Sequence, residues 1–418
     1  MRIIKSRSLI CSTIFGIFLL LSYIPSDLSA GESGPGYVHK WTAPFEFLGP
    51  GREMDNDWRL QIPEVQIGLL GSFAGGGGAY GRAMEEGVIM ALDEINKKGG
   101  LFGRKVVIVK GDDENDMGKN GHETVRLIDE GVWGILGSVH SGCTHVAARI
   151  TLKSEVPQLT SISTDPTIGL INSPWMFRCL VDDRGQGQAL ADLIFNKLKY
   201  KEVGLIMHNN RYGKMGGKEI TAIAKAQKTP VAFQELFESD QTDFSKIIAK
   251  IKSSKVEAII VWGLYGPAGK LVRELGRQGI NVQIFGSDGV VAPAFIDVAG
   301  IAADKAIVTY PYDETRSDPV NLNFIRKFKK IYGHEPDSFS AHGYDAMNLM
   351  CTALKKSGLN RYRLRDTLAN TKDFHGVTGF ITFDHQGNDT RSVTFARIIN
   401  GHFVPLREKD FSELANRN

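Results

Sequence analysis

From Val65 onward, short runs of β-branched and aliphatic residues alternate with stretches whose apolar positions recur at helical spacing, the pattern of βαβ units on a parallel sheet. Residues 65–70 read as a first strand. Met84, Val88, Ala91, Leu92 and Ile95 share one face of the helix that follows, and Lys97-Lys98-Gly99-Gly100 ends it. A strand at 105–110 runs into Asp112-Asp113, a helix is predicted over 116–130, and a strand at 132–136 leads into Gly137-Ser138-Val139-His140-Ser141-Gly142. Another helix and a strand around 157–161 close this set. The grammar then restarts, with strands at 202–207, 258–262 and 282–285 and helices at 214–226, 243–254 and 267–278. Helices at 319–332 and 338–356 precede a β-rich tail in which Gln386-Gly387-Asn388 marks a turn. Periodicity alone therefore predicts an α/β chain with two doubly wound lobes. Ligands of open α/β sheets sit beyond the carboxyl ends of the strands, so the loops after each strand are where chemistry is sought.

The N-terminus departs from this pattern. Arg2, Lys5 and Arg7 precede an apolar stretch over 9–24 and a polar, small-residue end at 26–30, which reads as a secretory signal peptide over 1–30. A membrane span needs about 20 apolar residues, and this run is shorter. Cys11 lies at the start of the run, not after it, which argues against a lipoprotein. Residues 31–64 form an irregular extension rich in Gly, Pro and aromatics, with no assigned role.

Composition changes the picture little. The chain has 418 residues, 42% apolar and 23% charged, which excludes a disordered chain and allows two or three full-sized domains. Its formal charge of +3 shows no basic excess of the kind nucleic-acid binders carry, and it falls to about +1 once residues 1–30 are removed. Cys143, Cys179 and Cys351 are then left, too few and too scattered for a disulfide framework or zinc site, and they read as small buried hydrophobes.

Several motifs carry competing readings. Gly76-Gly77-Gly78-Ala79-Tyr80-Gly81 fits the dinucleotide fingerprint, but the expected acidic residue comes late, at Asp112, and an exported protein suits NAD poorly; a loop for close backbone approach is favoured. Ser141-Gly142-Cys143-Thr144-His145 could hold a nucleophile with His140 or His145 as base. It also fits hydroxyls and N–H groups presented to an anion at a helix N-terminus, the favoured reading. The acids of Asp112-Asp113-Glu114-Asn115-Asp116 lack calcium-loop spacing and read as helix-start caps. Tyr212, Tyr265 and Asp288 each follow a strand of the second set, while Ser141, Ser163 and Thr164 follow strands of the first. Hydroxyls and N–H groups on one wall suit a carboxylate, and a carboxylate with tyrosines on the other suits an ammonium.

In order and spacing these motifs make the chain resemble the type I periplasmic solute-binding proteins of ABC transporters, specifically the leucine/isoleucine/valine-binding group. The resemblance runs from about Val65 to Leu406. It rests on Ala79-Tyr80-Gly81, the Asn96–Gly103 segment, Asp112-Asp113, Ser141-Gly142-Cys143-Thr144, Ser163-Thr164-Asp165-Pro166, Arg211-Tyr212-Gly213, Gly286-Ser287-Asp288-Gly289 and Phe383-Asp384-His385-Gln386-Gly387. It implies that Ser141, Ser163 and Thr164 hold a ligand carboxylate, that Asp288 with Tyr212 and Tyr265 holds an ammonium, and that Tyr80 lines the side-chain pocket. His140 and Cys143 replace other groups beside the carboxylate site, and Asn115 and His140 stand where some members have a disulfide. The resemblance further implies two Rossmann-like lobes joined by three crossings, near Val181, Tyr310 and Gly379. Residues 65–180 and 311–378 would form one lobe, 181–310 and 379–408 the other, and 409–418 a tail. The expected partners are a small amino-acid-like ligand and a membrane permease, with no nucleic acid, metal or cofactor, and the exported chain would act as a monomer without catalysis. A ligand-sensing module of the same fold, and a hydrolase built on Ser141 or Cys143, remain the alternatives.

Overall fold

In a computed structural model that describes residues 62–74, 78–171 and 173–415, the chain builds two separate parallel sheets. Residues 1–61, with the expected signal peptide and nearly all of the extension, lie outside the described residues, as do Gly76 and Gly77 of the glycine loop. The first sheet comprises β1 (Glu64–Gly71), β2 (Lys105–Asp112), β3 (Ile135–Leu136), β4 (Gln158–Thr160) and β5 (Met176–Arg178), in the order β2-β1-β3-β4-β5. The second contains β6 (Val203–His208), β7 (Phe233–Phe237), β8 (Ala258–Trp262), β9 (Gln283–Gly286) and β10 (Ile307–Thr309), whose parallel part runs β7-β6-β8-β9-β10. Taken from each lobe's own first strand, the two orders are the same. In both, the strand order reverses between first and third strands, which is where a doubly wound sheet opens a crevice for ligands.

A hairpin, β11 (Phe374–Gly376) with β12 (Gly379–Ile381), lies apart from both sheets, while β13 (Phe395–Ile399) and β14 (His402–Pro405) extend the second sheet antiparallel from β10. This corrects the expected boundary at 379. Ile381 and Phe383 are buried in the core of the first lobe with Leu159, Phe177 and Met347, so residues 379–389 pack there. The chain crosses to the second lobe only between Arg391, which donates to the Cys179 carbonyl (2.8 Å), and Phe395. The Tyr310 N–H donates to the Thr394 carbonyl (2.8 Å), which brings the second and third crossings side by side. The expected tail at 409–418 also needs correction, because Glu408–Ala415 is a helix whose Phe411 packs edge-on against Phe395 in the second core.

The central strands are buried on both faces, as helices on either side require: every residue of β6 and β8 is buried. Cys143, Cys179 and Cys351 are buried as well. The acidic run after β2 serves as turn and cap. Asp116 accepts from the Lys119 N–H (2.7 Å) at the start of the helix Met117–Asp129, and Asp113 receives the Ser138 hydroxyl (2.5 Å) and the Asn120 amide (2.9 Å). Among the described residues no helix is long and apolar enough to cross a membrane.

Candidate functional site

The loops that follow the first, third and fourth strands of each sheet converge on a cavity between the lobes, whose empty space of about 320 Å³ includes its opening to solvent. Tyr80 stands in the first turn of the helix Gly78–Lys97, and Tyr212 in the first turn of Arg211–Ala226. A glycine follows each tyrosine. A Cβ on Gly81 would lie 1.8 Å from the Ser72 carbonyl oxygen, and one on Gly213 would lie 2.1 Å from that of His208. Each helix can therefore begin hard against the end of its strand, and its tyrosine borders the cavity.

On the first-lobe wall, Ser141 opens the helix Ser141–Ser154, whose N-cap, His140, makes no side-chain capping bond. Its first N–H groups and its positive dipole end thus stay available to an anion. Ser163 and Ser141 hydroxyls are 3.4 Å apart, and the buried Thr164 hydroxyl has no hydrogen-bond partner. Beneath this loop the buried Arg178 donates to the Asp165 carbonyl (2.7 Å) and to Asn388 (2.5 Å), which holds residues 163–165 in place.

The opposite wall is acidic. Asp288 is buried and accepts from the Tyr212 hydroxyl (2.6 Å), which in turn receives the Gly289 N–H (3.0 Å). Burial raises the Asp288 carboxyl above its ordinary value, while the Tyr212 hydrogen bond works against that rise. Burial, then the Asp288 charge, raise the Tyr212 phenol, so it stays a donor. Asp183, which motif reading missed, is fully buried with neither carboxylate oxygen hydrogen bonded. Burial, then the charge of Asp288, raise it strongly. Asp288 borders a cavity that no Lys or Arg lines, and the buried Asp183 adds a second carboxyl that feels its charge, so the site is suited to a positively charged group.

The remaining wall is largely apolar and aromatic: Tyr80, Val139, Ile162, Leu264 and Phe339, with His140 among them. The Tyr80 hydroxyl spans the cleft, donating to the Gly289 carbonyl (2.5 Å) and accepting from the Tyr265 N–H (2.9 Å). Ser141, Ser163, Thr164, Tyr212, Asp288 and Tyr80 thus all border the cavity. Tyr265 does not; its ring packs edge-on against Tyr80, centroids 4.9 Å apart. Phe339 was also missed, since it enters from the start of a helix, Ser338–Ser357, that carries no motif.

Burial and the neighbouring Asp113 carboxylate push the Cys143 thiol up, so it is held as a thiol and is a poor nucleophile. His145 is engaged outside the cavity, its Nε2 2.8 Å from the Thr167 hydroxyl and 3.2 Å from Asp165.

Two doubly wound lobes of one topology, with a cavity between them where their strand-end loops meet, define a bilobal binding protein. The chain belongs to the periplasmic binding protein family, whose model matches residues 64–402. A Leu/Ile/Val-binding protein homolog of Brucella suis is 26% identical over 329 residues, 78% of this chain and 87% of the relative. The leucine-binding protein LivK of Thermotoga maritima superposes with a TM-score of 0.78 at 27% identity, over 83% of this chain and 99% of its own. The branched-chain amino-acid substrate-binding protein LivJ of Streptococcus pneumoniae, solved with isoleucine, gives 0.76 at 27% identity, over 82% and 99%. The fold is thus that of the branched-chain amino-acid type of ABC-transporter substrate-binding protein.

Proposed function

We propose that this chain is an exported, non-catalytic receptor that captures a small amino acid, of branched-chain type or closely related, in the interlobe cavity and delivers it to an ABC permease. The observation that carries the reading is the opposed chemistry of the two walls. Ser141, Ser163, Thr164 and the open helix N-terminus offer neutral donors to a carboxylate, and Asp288, seconded by Asp183 and Tyr212, offers an acceptor to an ammonium. Tyr80, Val139, Ile162, Leu264 and Phe339 then enclose the side chain. Tyr265 supports this wall through Tyr80 rather than by touching the ligand. Hinge closure around the ligand removes water, which strengthens both charge contacts. The LivJ relative, solved with isoleucine, and a substrate-binding protein of Desulfitobacterium hafniense, 25% identical and solved with leucine, support the ligand class. The signal-like residues 1–30 support export.

A thermal-shift screen of the mature protein against amino acids, amides and small carboxylates tests this. A ligand bound only by the native state raises the midpoint as its concentration passes Kd. Leucine, isoleucine, valine or a near analogue is expected to do so. A shift with carboxylates alone would displace the ammonium role of Asp288, and silence across all amino acids would overturn the substrate class.

A further inference from the structure

At the mouth of the cleft the lobes are joined by a polar cluster that the cavity does not include. Asp165 follows β4 with its side chain fully buried. Its Oδ1 is used within the first lobe, where it accepts from the Thr167 N–H (2.8 Å) and hydroxyl (2.6 Å). Its Oδ2 faces the other lobe and accepts from Arg211 Nε at 2.6 Å. Arg211 is the first residue of the helix Arg211–Ala226, and its Nη2 also lies 2.7 Å from the Thr167 hydroxyl and 3.0 Å from His145 Nε2. One guanidinium from the second lobe thus donates to two groups of the first, the Asp165 carboxylate and the Thr167 hydroxyl, while His145, whose Nε2 donates to Asp165, only lies beside it. Burial alone would raise the Asp165 carboxyl, but the hydrogen bonds from His145 and Thr167 and the Arg211 charge hold it down to about 2.

Opening the hinge separates Arg211 from all three groups, which belong to the other lobe. The carboxylate is buried while Arg211 is 42% exposed, so the pair gains less than a fully desolvated one and more than a surface one. We propose that Arg211 and Asp165 form an interlobe latch that biases the closed arrangement even without ligand. The latch raises affinity and slows release without touching what is bound. It is read from contacts between lobes; only its effect on affinity rests on the binding function proposed above.

The test is energy transfer across the ligand-free protein, unfolded and refolded first to strip carried-over ligand. Cys143, Cys179 and Cys351 are buried, so dyes attach at Lys98→Cys, just beyond the helix Gly78–Lys97, and Lys252→Cys, in the last turn of the helix Ser245–Ser254, both exposed and at cleft-distant helix ends. Asp165→Asn keeps an acceptor for Thr167 and turns an amide donor toward Arg211. Arg211→Ala and Asp165→Asn are each expected to lower the closed-to-open ratio about five-fold, the scale of a half-exposed ion pair. The double variant should fall no further than the single ones, because both remove the same contact. Ligand-free transfer unchanged from wild type in Arg211→Ala, or strictly additive effects in the double variant, would overturn the latch. If Asp165→Asn fails to fold, the exposed Arg211→Ala decides alone. Failure of the amino-acid reading would appear only in the ligand screen and leaves this measurement untouched.

Discussion

The two lobes share a strand order and a tyrosine–glycine start to the first helix, yet their walls carry opposite chemistry. In the first lobe the third- and fourth-strand loops end in Ser141, Ser163 and Thr164 beside a helix N-terminus; in the second the fourth-strand loop ends in Asp288 beneath Tyr212. Topology decides where the loops meet, and residue type decides what they recognise. Neutral donors and a helix dipole hold an anion with partial charges, whereas the opposite wall offers full negative charge in a desolvated setting. The acidic wall should therefore account for more of the binding energy per residue.

Asp288→Ala tests that asymmetry most strongly. It removes the carboxylate that borders the cavity, and by titration calorimetry affinity should fall by about 2–5 kcal/mol. Asp288→Asn keeps the Tyr212 contact and separates charge from geometry. Unchanged affinity in both would remove Asp288 from the site. The shared tyrosine–glycine pair gives the next effect. Gly81→Ala and Gly213→Ala each drive a Cβ into a backbone carbonyl oxygen, and unfolding free energy should drop by about 1–3 kcal/mol in each lobe. A loss in one lobe only would show that the repeated start is not structurally equivalent.

Much of this was readable before any coordinates. Ser141, Ser163, Thr164, Tyr212, Asp288 and Tyr80 reach the cavity because motif order carried their loop positions, and loops after parallel strands converge. Asp183 was hidden in plain composition. Asp182-Asp183 before a helix reads as capping, and only packing reveals that Asp182 caps the Gly185 N–H (2.9 Å) while Asp183 is fully buried beside Asp288. Tyr265 fails for a related reason: it follows the right strand, but its ring turns against Tyr80. β5 and β10 have three residues each, too few for a period to register, and β5 ends in the buried Arg178. Alternation around Phe380 and Ile381 predicts a strand, yet it cannot say which of two cores receives Ile381.

On the neutral wall the expected effect is smaller. Thr164→Val removes a buried hydroxyl that has no hydrogen-bond partner within the protein, so the loss should fall on binding rather than on stability. One neutral hydrogen bond contributes about 0.5–1.5 kcal/mol, a few-fold change in Kd. A melting midpoint that falls while Kd stays fixed would assign the hydroxyl to the fold instead of to the ligand.

The pH response sharpens the comparison furthest for the least energy. Burial raises both Asp183 and Asp288 above the ordinary carboxylate value of 3.8, and Asp288 further raises Asp183. In that window the folded, ligand-free protein binds more protons than the unfolded chain, so its stability should rise as pH falls through the raised values toward 3.8. An ammonium favours the ionised pair, so binding must expel a proton that the empty site holds, and affinity should fall as pH falls through the same window. The slope is bounded at about 1.4 kcal/mol per pH unit for each proton released. The neutral wall has no such linkage, because its hydroxyls and amides do not titrate there. Calorimetry in buffers of different ionisation enthalpy reads the released proton directly. Opposite slopes for ligand-free stability and for affinity would tie both trends to the acidic wall, whereas a pH-independent affinity with no proton release would mean that the bound solute meets it without a cation.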